Sequence, residues 1–222
     1  MRPSRLLLFV SAAASVVFLA GSCCASSDWL VAFKLASILP LALLGFRVNS
    51  RLGIALTFGA IGDLALGVRQ LGSLDADKLF LFGLSSFLLG HLVYIAMFRK
   101  CRATDGWKTG WVRWLGVLVI VIALGAVLGT LRNSLGSLLL PVVVYALVLA
   151  AMAISAQLTE IGNPLAALGA LCFVASDAML AIGKFSGPFP GHEPLVWVTY
   201  YFAQLLIFLG VARSQPHLAV RQ

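Results

Sequence analysis

Apolar residues fill the chain in eight long runs, each bounded by charged or turn-forming residues: Leu6 to Cys24, Trp29 to Phe46, Leu52 to Val68, Leu79 to Phe98, Val112 to Leu131, Leu138 to Leu158, Pro164 to Gly183 and Pro194 to Ala212. A helix of about 20 apolar residues crosses the hydrocarbon layer of a bilayer, so each run predicts one transmembrane helix. The expected fold class is all-α, a polytopic membrane bundle of eight helices forming a single integral membrane domain over residues 1–222. The longest connection, Arg99 to Trp111, carries Gly106 and Gly110 among charges and predicts a surface loop. Little chain is left over for a soluble domain.

Composition agrees with this reading. Hydrophobic residues make up 61% of the chain and charged ones 11%, against about a quarter charged in soluble domains, and the mean hydropathy is +1.01. The charges indicate orientation, because Lys and Arg gather on cytoplasmic loops. With the N-terminus inside, eleven basic residues (Arg2, Arg5, Arg47, Arg51, Arg99, Lys100, Arg102, Lys108, Arg113, Arg213, Arg221) lie on the cytoplasmic side and four (Arg69, Lys78, Arg132, Lys184) outside. Both termini are therefore expected in the cytoplasm. Topology and attraction to anionic lipid explain the net charge of +8, without nucleic-acid binding. The first span, with Arg2 and Arg5 ahead of it and small residues over Ala20 to Ala25, also fits a signal peptide. Its length and the even helix count favour a retained span. Cys23 and Cys24 do not match a lipoprotein pattern well, and Cys101 and Cys172 lie far apart, so no disulfide framework or CxxC metal motif is visible.

Two acidic residues stand out against this background. Asp63 and Asp177 fall near the centres of the third and seventh spans. An aspartate there costs roughly 2.5 to 3.5 kcal/mol by insertion scales, so such residues usually face a protein interior or a watery cavity and carry function. Gly62-Asp63-Leu64-Ala65-Leu66 resembles Ser176-Asp177-Ala178-Met179-Leu180, with Phe58 and Phe173 upstream; His91 follows Asp63 by 28 positions and Gln204 follows Asp177 by 27. The pattern suggests two parallel four-helix repeats, residues 1–98 and 111–213, as in some transporters. At a helical rise of about 1.5 Å per residue, both aspartates lie roughly 18 to 21 Å from the cytoplasmic boundary. Gln204 falls near mid-membrane too, Tyr200 and Lys34 nearer the outer face, and His91 nearer the cytoplasmic one.

Five segments in this order resemble the lysoplasmalogenases, or YhhN-like membrane proteins: Gly59-Ala60-Ile61-Gly62-Asp63, Gly90-His91-Leu92-Val93-Tyr94, Leu140-Pro141-Val142-Val143-Val144-Tyr145, Phe173-Val174-Ala175-Ser176-Asp177 and Thr199-Tyr200-Tyr201-Phe202-Ala203-Gln204-Leu205-Leu206-Ile207. The resemblance covers nearly the whole chain. It implies an eight-helix hydrolase that cleaves the vinyl ether bond of lysoplasmalogen, releasing a fatty aldehyde and glycerophosphoethanolamine or glycerophosphocholine. It also implies that Asp63 and Asp177 are the catalytic candidates. Lys34 resembles the lysine of the family's second-span motif, although Leu35 stands where a proline often follows, and the proline here is Pro40.

The chemistry suits two carboxyls. Vinyl ether hydrolysis needs an acid to protonate carbon and an anion beside the oxocarbenium ion that results, and two neighbouring carboxyls can share one proton between these tasks. Glycosidases meet a comparable cation with a carboxyl pair. Lys34 is a candidate to hold the lipid phosphate or else a structural ion pair. His91 could relay protons or bridge helices, and Tyr200 and Gln204 could orient water or a carboxyl, or serve as helix contacts. Tyr94, Tyr145 and Tyr201 read as packing or interface residues. Ser176 lacks a Gly-x-Ser-x-Gly elbow, and no HExxH site or phosphate-binding glycine loop is present, so no metal or cofactor is expected. Gly125-x-x-x-Gly129 permits close helix approach within the chain or in a dimer, leaving the oligomeric state open. Lys184 to Glu193 reads as an exposed loop, with a cap over a cavity mouth as the alternative. A proton-coupled transporter or lipid flippase, or a noncatalytic scaffold, would also use buried aspartates. A bacterial inner membrane is preferred over a eukaryotic internal one.

Overall fold

The computed structural model describes residues 3–24, 30–68, 75–100, 110–159 and 163–218. Among them run eight α-helices: α1 (Pro3–Cys24), α2 (Leu30–Val48), α3 (Ser50–Val68), α4 (Ala76–Lys100), α5 (Trp111–Leu131), α6 (Leu139–Gln157), α7 (Leu165–Phe185) and α8 (His192–Leu218). All eight are long and apolar enough to cross a membrane, and the protein is a multi-pass integral membrane protein. Arg2, Trp29, Arg69, Cys101, Arg102, Gly106, Lys108 and Arg221, on which sequence readings fell, lie outside the described residues.

Helix ends differ from the hydropathy limits where polar residues can serve a helix terminus. Only Asn49 separates α2 from α3, and its Oδ1 accepts the Arg51 amide at 2.9 Å, meeting a donor that the first turn of a helix otherwise leaves unsatisfied. Asp75 does the same for α4, accepting the amides of Asp77 and Lys78 at 3.1 and 3.2 Å. The Lys78 amide, helped by the Lys78 ammonium at 3.2 Å, holds the Asp75 carboxyl below the usual carboxylate range. The Lys184 to Glu193 connection is shorter than expected. Lys184 and Phe185 continue α7, and α8 begins at His192 with Glu193 and Pro194 in its first turn, where an acid meets the helix dipole and proline loses no hydrogen bond. Gly187 and Gly191, with φ of 101° and 76°, make the reversal between them. Ser186, Gly187, Pro188, Pro190 and Gly191 are exposed.

The chain forms two compact units, Met1–Tyr94 and Ile95–Gln222. In the first, α1 packs on α2 and α2 on α3. Ser11 Oγ donates to the Ser37 carbonyl at 2.6 Å across α1 and α2. Gly45 and Gly53 allow α2 and α3 to meet so closely that a Cβ on Gly45 would stand 3.0 Å from the Gly53 nitrogen. Ser86 Oγ of α4 donates to the Phe58 carbonyl of α3 at 2.7 Å.

In the second unit the α7–α8 pairing is the most extensive. A Cβ on Gly169 would lie 2.8 Å from the Ala203 carbonyl oxygen, so these backbones are in contact. α6 bridges α5 and α7, and Gln157 Nε2 donates to the Ala167 carbonyl at 3.0 Å. Leu131, Leu135 and Val142 form an apolar knot with Ala181 and Phe185. Among the described residues, nothing lies within 4 Å of a Cβ built on Gly125 or Gly129, so the intramolecular close approach that they permit is not made there. Their helix turns Leu118, Val119, Val121 and Ile122 outward, which suits a face surrounded by lipid.

Asn163 ties the start of α7 to the end of α8. Its Oδ1 accepts the Leu165 amide at 3.1 Å, and its Nδ2 donates to the Gly210 carbonyl and to Ser214 Oγ, each at 3.0 Å. Asn163→Ala removes the bond to the Leu165 amide and both cross-helix bonds, and is expected to lower stability by about 1 to 2 kcal/mol. Thermal melting of the detergent-solubilised protein checks this.

Candidate active site

Asp63 sits on α3 with 5% of its surface exposed, while Ile61 and Leu64 on either side are 37% and 39% exposed. Successive helix positions are 100° apart, so the apolar neighbours face outward and the carboxylate faces protein. Gly62 makes that placement possible. A Cβ there would stand 2.6 Å from the Phe87 ring of α4, and one on Gly83 would stand 3.3 Å from the Gly62 carbonyl oxygen. Small residues at Gly62, Gly83, Ser86 and Gly90 thus bring α4 onto the face of α3 beside Asp63. His91, adjoining Gly90, is 1% exposed; its Nδ1 and the Asp63 Oδ2 are both buried atoms.

Lys34 is half-buried on α2. Its Nζ lies 4.9 Å from the centroid of the Phe18 ring of α1, within range of a cation–π attraction. The ammonium therefore has an aromatic neighbour that spacing along the sequence did not suggest.

Asp177, on α7, is half-buried. The phenol of Tyr145, on α6, donates to its Oδ2 at 2.5 Å. Ser176 beside it turns to α8 and donates to the Val196 carbonyl at 3.0 Å, a contact between helices. An aromatic group follows along α7 and α8. Phe173 meets Tyr200 edge to face at 5.5 Å between centroids, and Trp197 lies 5.8 Å from Tyr200 and 6.3 Å from Tyr201. Gln204 Nε2 donates to the Tyr200 hydroxyl at 3.1 Å, one turn along the same helix.

The second unit thus brings Tyr200 and Gln204 into direct contact and gives Asp177 a tyrosine donor, while the first buries Asp63 and His91 and half-buries Lys34. Tyr145, which the sequence reading left among packing or interface residues, is the residue that donates to Asp177. An isolated tyrosine in an apolar span reads equally well as packing, and its bond to Asp177 joins residues 32 apart on separate helices. Among the described residues no three His, Cys, Asp or Glu side chains gather as metal ligands. A cleft of about 360 Å³ lies elsewhere in the second unit, lined by Phe98, Arg99, Ala151, Ile154, Ser155 and Leu158 and by none of the candidate residues. Chemically, the arrangement offers two carboxyls inside membrane-spanning helices, one of them accepting a phenolic hydrogen bond.

The sequence profile of the YhhN family matches residues 29–211. The chain is 35% identical to a lysoplasmalogenase of Mycobacterium bovis over 136 residues, covering 59% of this chain and 50% of that protein. It is 35% identical to human lysoplasmalogenase TMEM86B over 161 residues, 72% of this chain and 62% of the relative. With bovine lysoplasmalogenase TMEM86A the identity is 32% over 185 residues, 78% of this chain and 71% of the relative. The chain spans about half the length of the mycobacterial relatives that it matches. No solved structure matches it.

Proposed function

The chain belongs to the YhhN family, and from that premise we propose that it hydrolyses the vinyl ether bond of lysoplasmalogen within the membrane, using Asp63 and Asp177. The observation that carries this reading is a carboxylate buried at Asp63 inside a membrane-spanning helix, in a chain whose relatives bear the name lysoplasmalogenase. Burying it is costly, and an ionisable residue inside a membrane span marks a functional site. The reading requires no cofactor.

One aspartic acid delivers its proton to the vinyl carbon distal to the ether oxygen, and the C=C electron pair forms the new C–H bond. The carbon attached to oxygen becomes an oxocarbenium ion, which the other aspartate stabilises. Water adds to that carbon and gives a proton to this second carboxylate. The hemiacetal then returns its hydroxyl proton to the first carboxylate as the C–O bond to glycerol breaks, and the second carboxyl protonates the departing oxygen. Fatty aldehyde and glycerophospho-alcohol leave, and both aspartates regain their starting states. Lys34 holds the lipid phosphate, while His91, Tyr200 and Gln204 orient the water and the carboxyls. The basic-residue distribution supports cytoplasmic termini, and the setting proposed is a bacterial inner membrane.

Purified protein in detergent, given lysoplasmenylethanolamine, is expected to release fatty aldehyde with no ion gradient and no second compartment, as read by a coupled alcohol dehydrogenase. Absence of aldehyde, with proton-coupled lipid uptake by proteoliposomes, would establish the transporter reading instead.

A further inference from the structure

The cleft that holds none of the candidate residues lies wholly within the second unit. Its volume of about 360 Å³ falls in the range of small-molecule sites, roughly 300 to 1,000 Å³. Ala151, Ile154, Ser155 and Leu158 recur at the three- and four-residue spacing of one helix face, so one wall is a single side of α6 and its end. Phe98 and Arg99, in the last turn of α4, make the other. Thr159 Oγ1 donates to the Phe98 carbonyl at 3.5 Å and ties the two walls together. The Ser155 hydroxyl donates to the Ala151 carbonyl, one turn back on its own helix, at 2.7 Å. That bond leaves the α6 wall almost entirely apolar, and the Arg99 guanidinium supplies the charge. An apolar slot with a cation at the end of a membrane-spanning helix matches a phospholipid, with its acyl chain along the helix and its phosphate at the boundary.

Other cations gather at the same end of the unit. Lys100 adjoins Arg99. Arg113, at the start of α5, donates through Nη1 to the Thr159 carbonyl at 2.5 Å. Arg213 adjoins Ser214, which Asn163 holds to the start of α7. Among the described residues of the unit the acids are Asp177 and Glu193. Asp177 lies within α7, and Glu193 is in the first turn of α8, at the opposite end. A zwitterionic headgroup brings a positive charge together with its phosphate and gains little in such a field, whereas an anionic headgroup gains from every cation. We propose that this cleft binds an anionic diacyl phospholipid of the phosphatidylglycerol type, with one acyl chain against the apolar face of α6 and the phosphate on Arg99. Neither aspartate lines the cleft, so the lipid seated there is held rather than hydrolysed.

Native mass spectrometry of the full-length protein, released from detergent, counts bound lipid. Dioleoyl phosphatidylglycerol should bind about fivefold or more tightly than dioleoyl phosphatidylcholine, and Arg99→Gln should weaken the phosphatidylglycerol complex about fivefold, the value of one cation near an anionic headgroup. Binding of phosphatidylcholine should not change. Arg132→Gln removes the same charge from an exposed position just beyond the far end of α5 and should change neither. Ser155→Leu gives up only a bond within its own helix and fills the slot, so it should displace the lipid while the lipid-free protein melts as the wild type does. Equal binding of the two lipids, or equal losses from Arg99→Gln and Arg132→Gln, shows a general attraction of a basic protein for anions and overturns the proposal. Full binding by Ser155→Leu places the acyl chain outside the cleft and overturns it too. Lysoplasmenylethanolamine binding more tightly than phosphatidylglycerol, with that binding lost in Arg99→Gln, makes the cleft a substrate passage instead. If Ser155→Leu does not fold, the paired arginine variants decide. Aldehyde release plays no part in these measurements, so they stand whether or not the hydrolase reading does.

Discussion

Asp63→Asn and Asp177→Asn are each expected to lower kcat for aldehyde release by about a thousandfold, within the range that a positioned acid or base contributes. The exchange is nearly isosteric and removes either the transferable proton or the negative charge, so binding of the lysolipid should persist and KM should change little. Asn at 177 still presents a carbonyl oxygen to the Tyr145 hydroxyl, and the α6–α7 contact should survive. At 63 the substitution replaces a buried ionisable group by a neutral one, so the variant should melt no lower than wild type. In the proposed reaction cycle both carboxyls take part, so the double variant should be little slower than either single one. Saturation kinetics in detergent, with melting curves as the control for folding, check all three statements. Turnover at the wild-type rate in both single variants would remove the aspartates from the mechanism.

Hydropathy alone located all eight helices, since lipid demands about twenty consecutive apolar residues and leaves few other ways to satisfy the backbone. Their ends were less legible. Asn49 shortens the α2–α3 connection to one residue, and His192 and Glu193 join α8, because polar residues at a helix start count as loop in a hydropathy sum yet belong to the helix end in the folded chain, where Asn49 accepts the Arg51 amide. The aspartates were visible from the sequence because each is a charge in an apolar span. Their surroundings were not. In membrane helices every face is apolar, so periodicity says little about which face is inside. Ile61 and Leu64 look no more lipid-facing in the sequence than Leu56, yet Leu56 is buried and they are not. Tyr145 shows the same limit, since its role depends on which helix lies beside α6. Gly125 and Gly129 show the converse, a small-residue motif with no close neighbour among the described residues.

Gly62 is where the packing of α3 and α4 meets the proposed chemistry, and Gly62→Leu should show both. The Cβ of any residue there falls 2.6 Å from Phe87 Cε2 and 2.7 Å from its Cζ, well inside contact distance, and Phe87 is itself buried. The ring or the helix must move. Overpacking of this kind costs about 1 to 3 kcal/mol, read as a lower melting temperature. The catalytic effect should be larger in proportion, because Asp63 is the next residue and a displacement of about 1 Å at a reacting group can cost a hundredfold in rate. A fall in kcat of about that size is expected with the carboxylate intact. Phe87→Ala by itself leaves a cavity, at about 3 to 5 kcal/mol. Combined with Gly62→Leu, the added side chain occupies the space that the ring vacates, so the double variant should be more stable than the sum of the single losses by about 0.5 to 3 kcal/mol and should regain much of kcat. Additive losses would show that α4 does not set the position of Asp63 through this contact, and recovery of stability without activity would show that the geometry beside Asp63 requires the glycine itself.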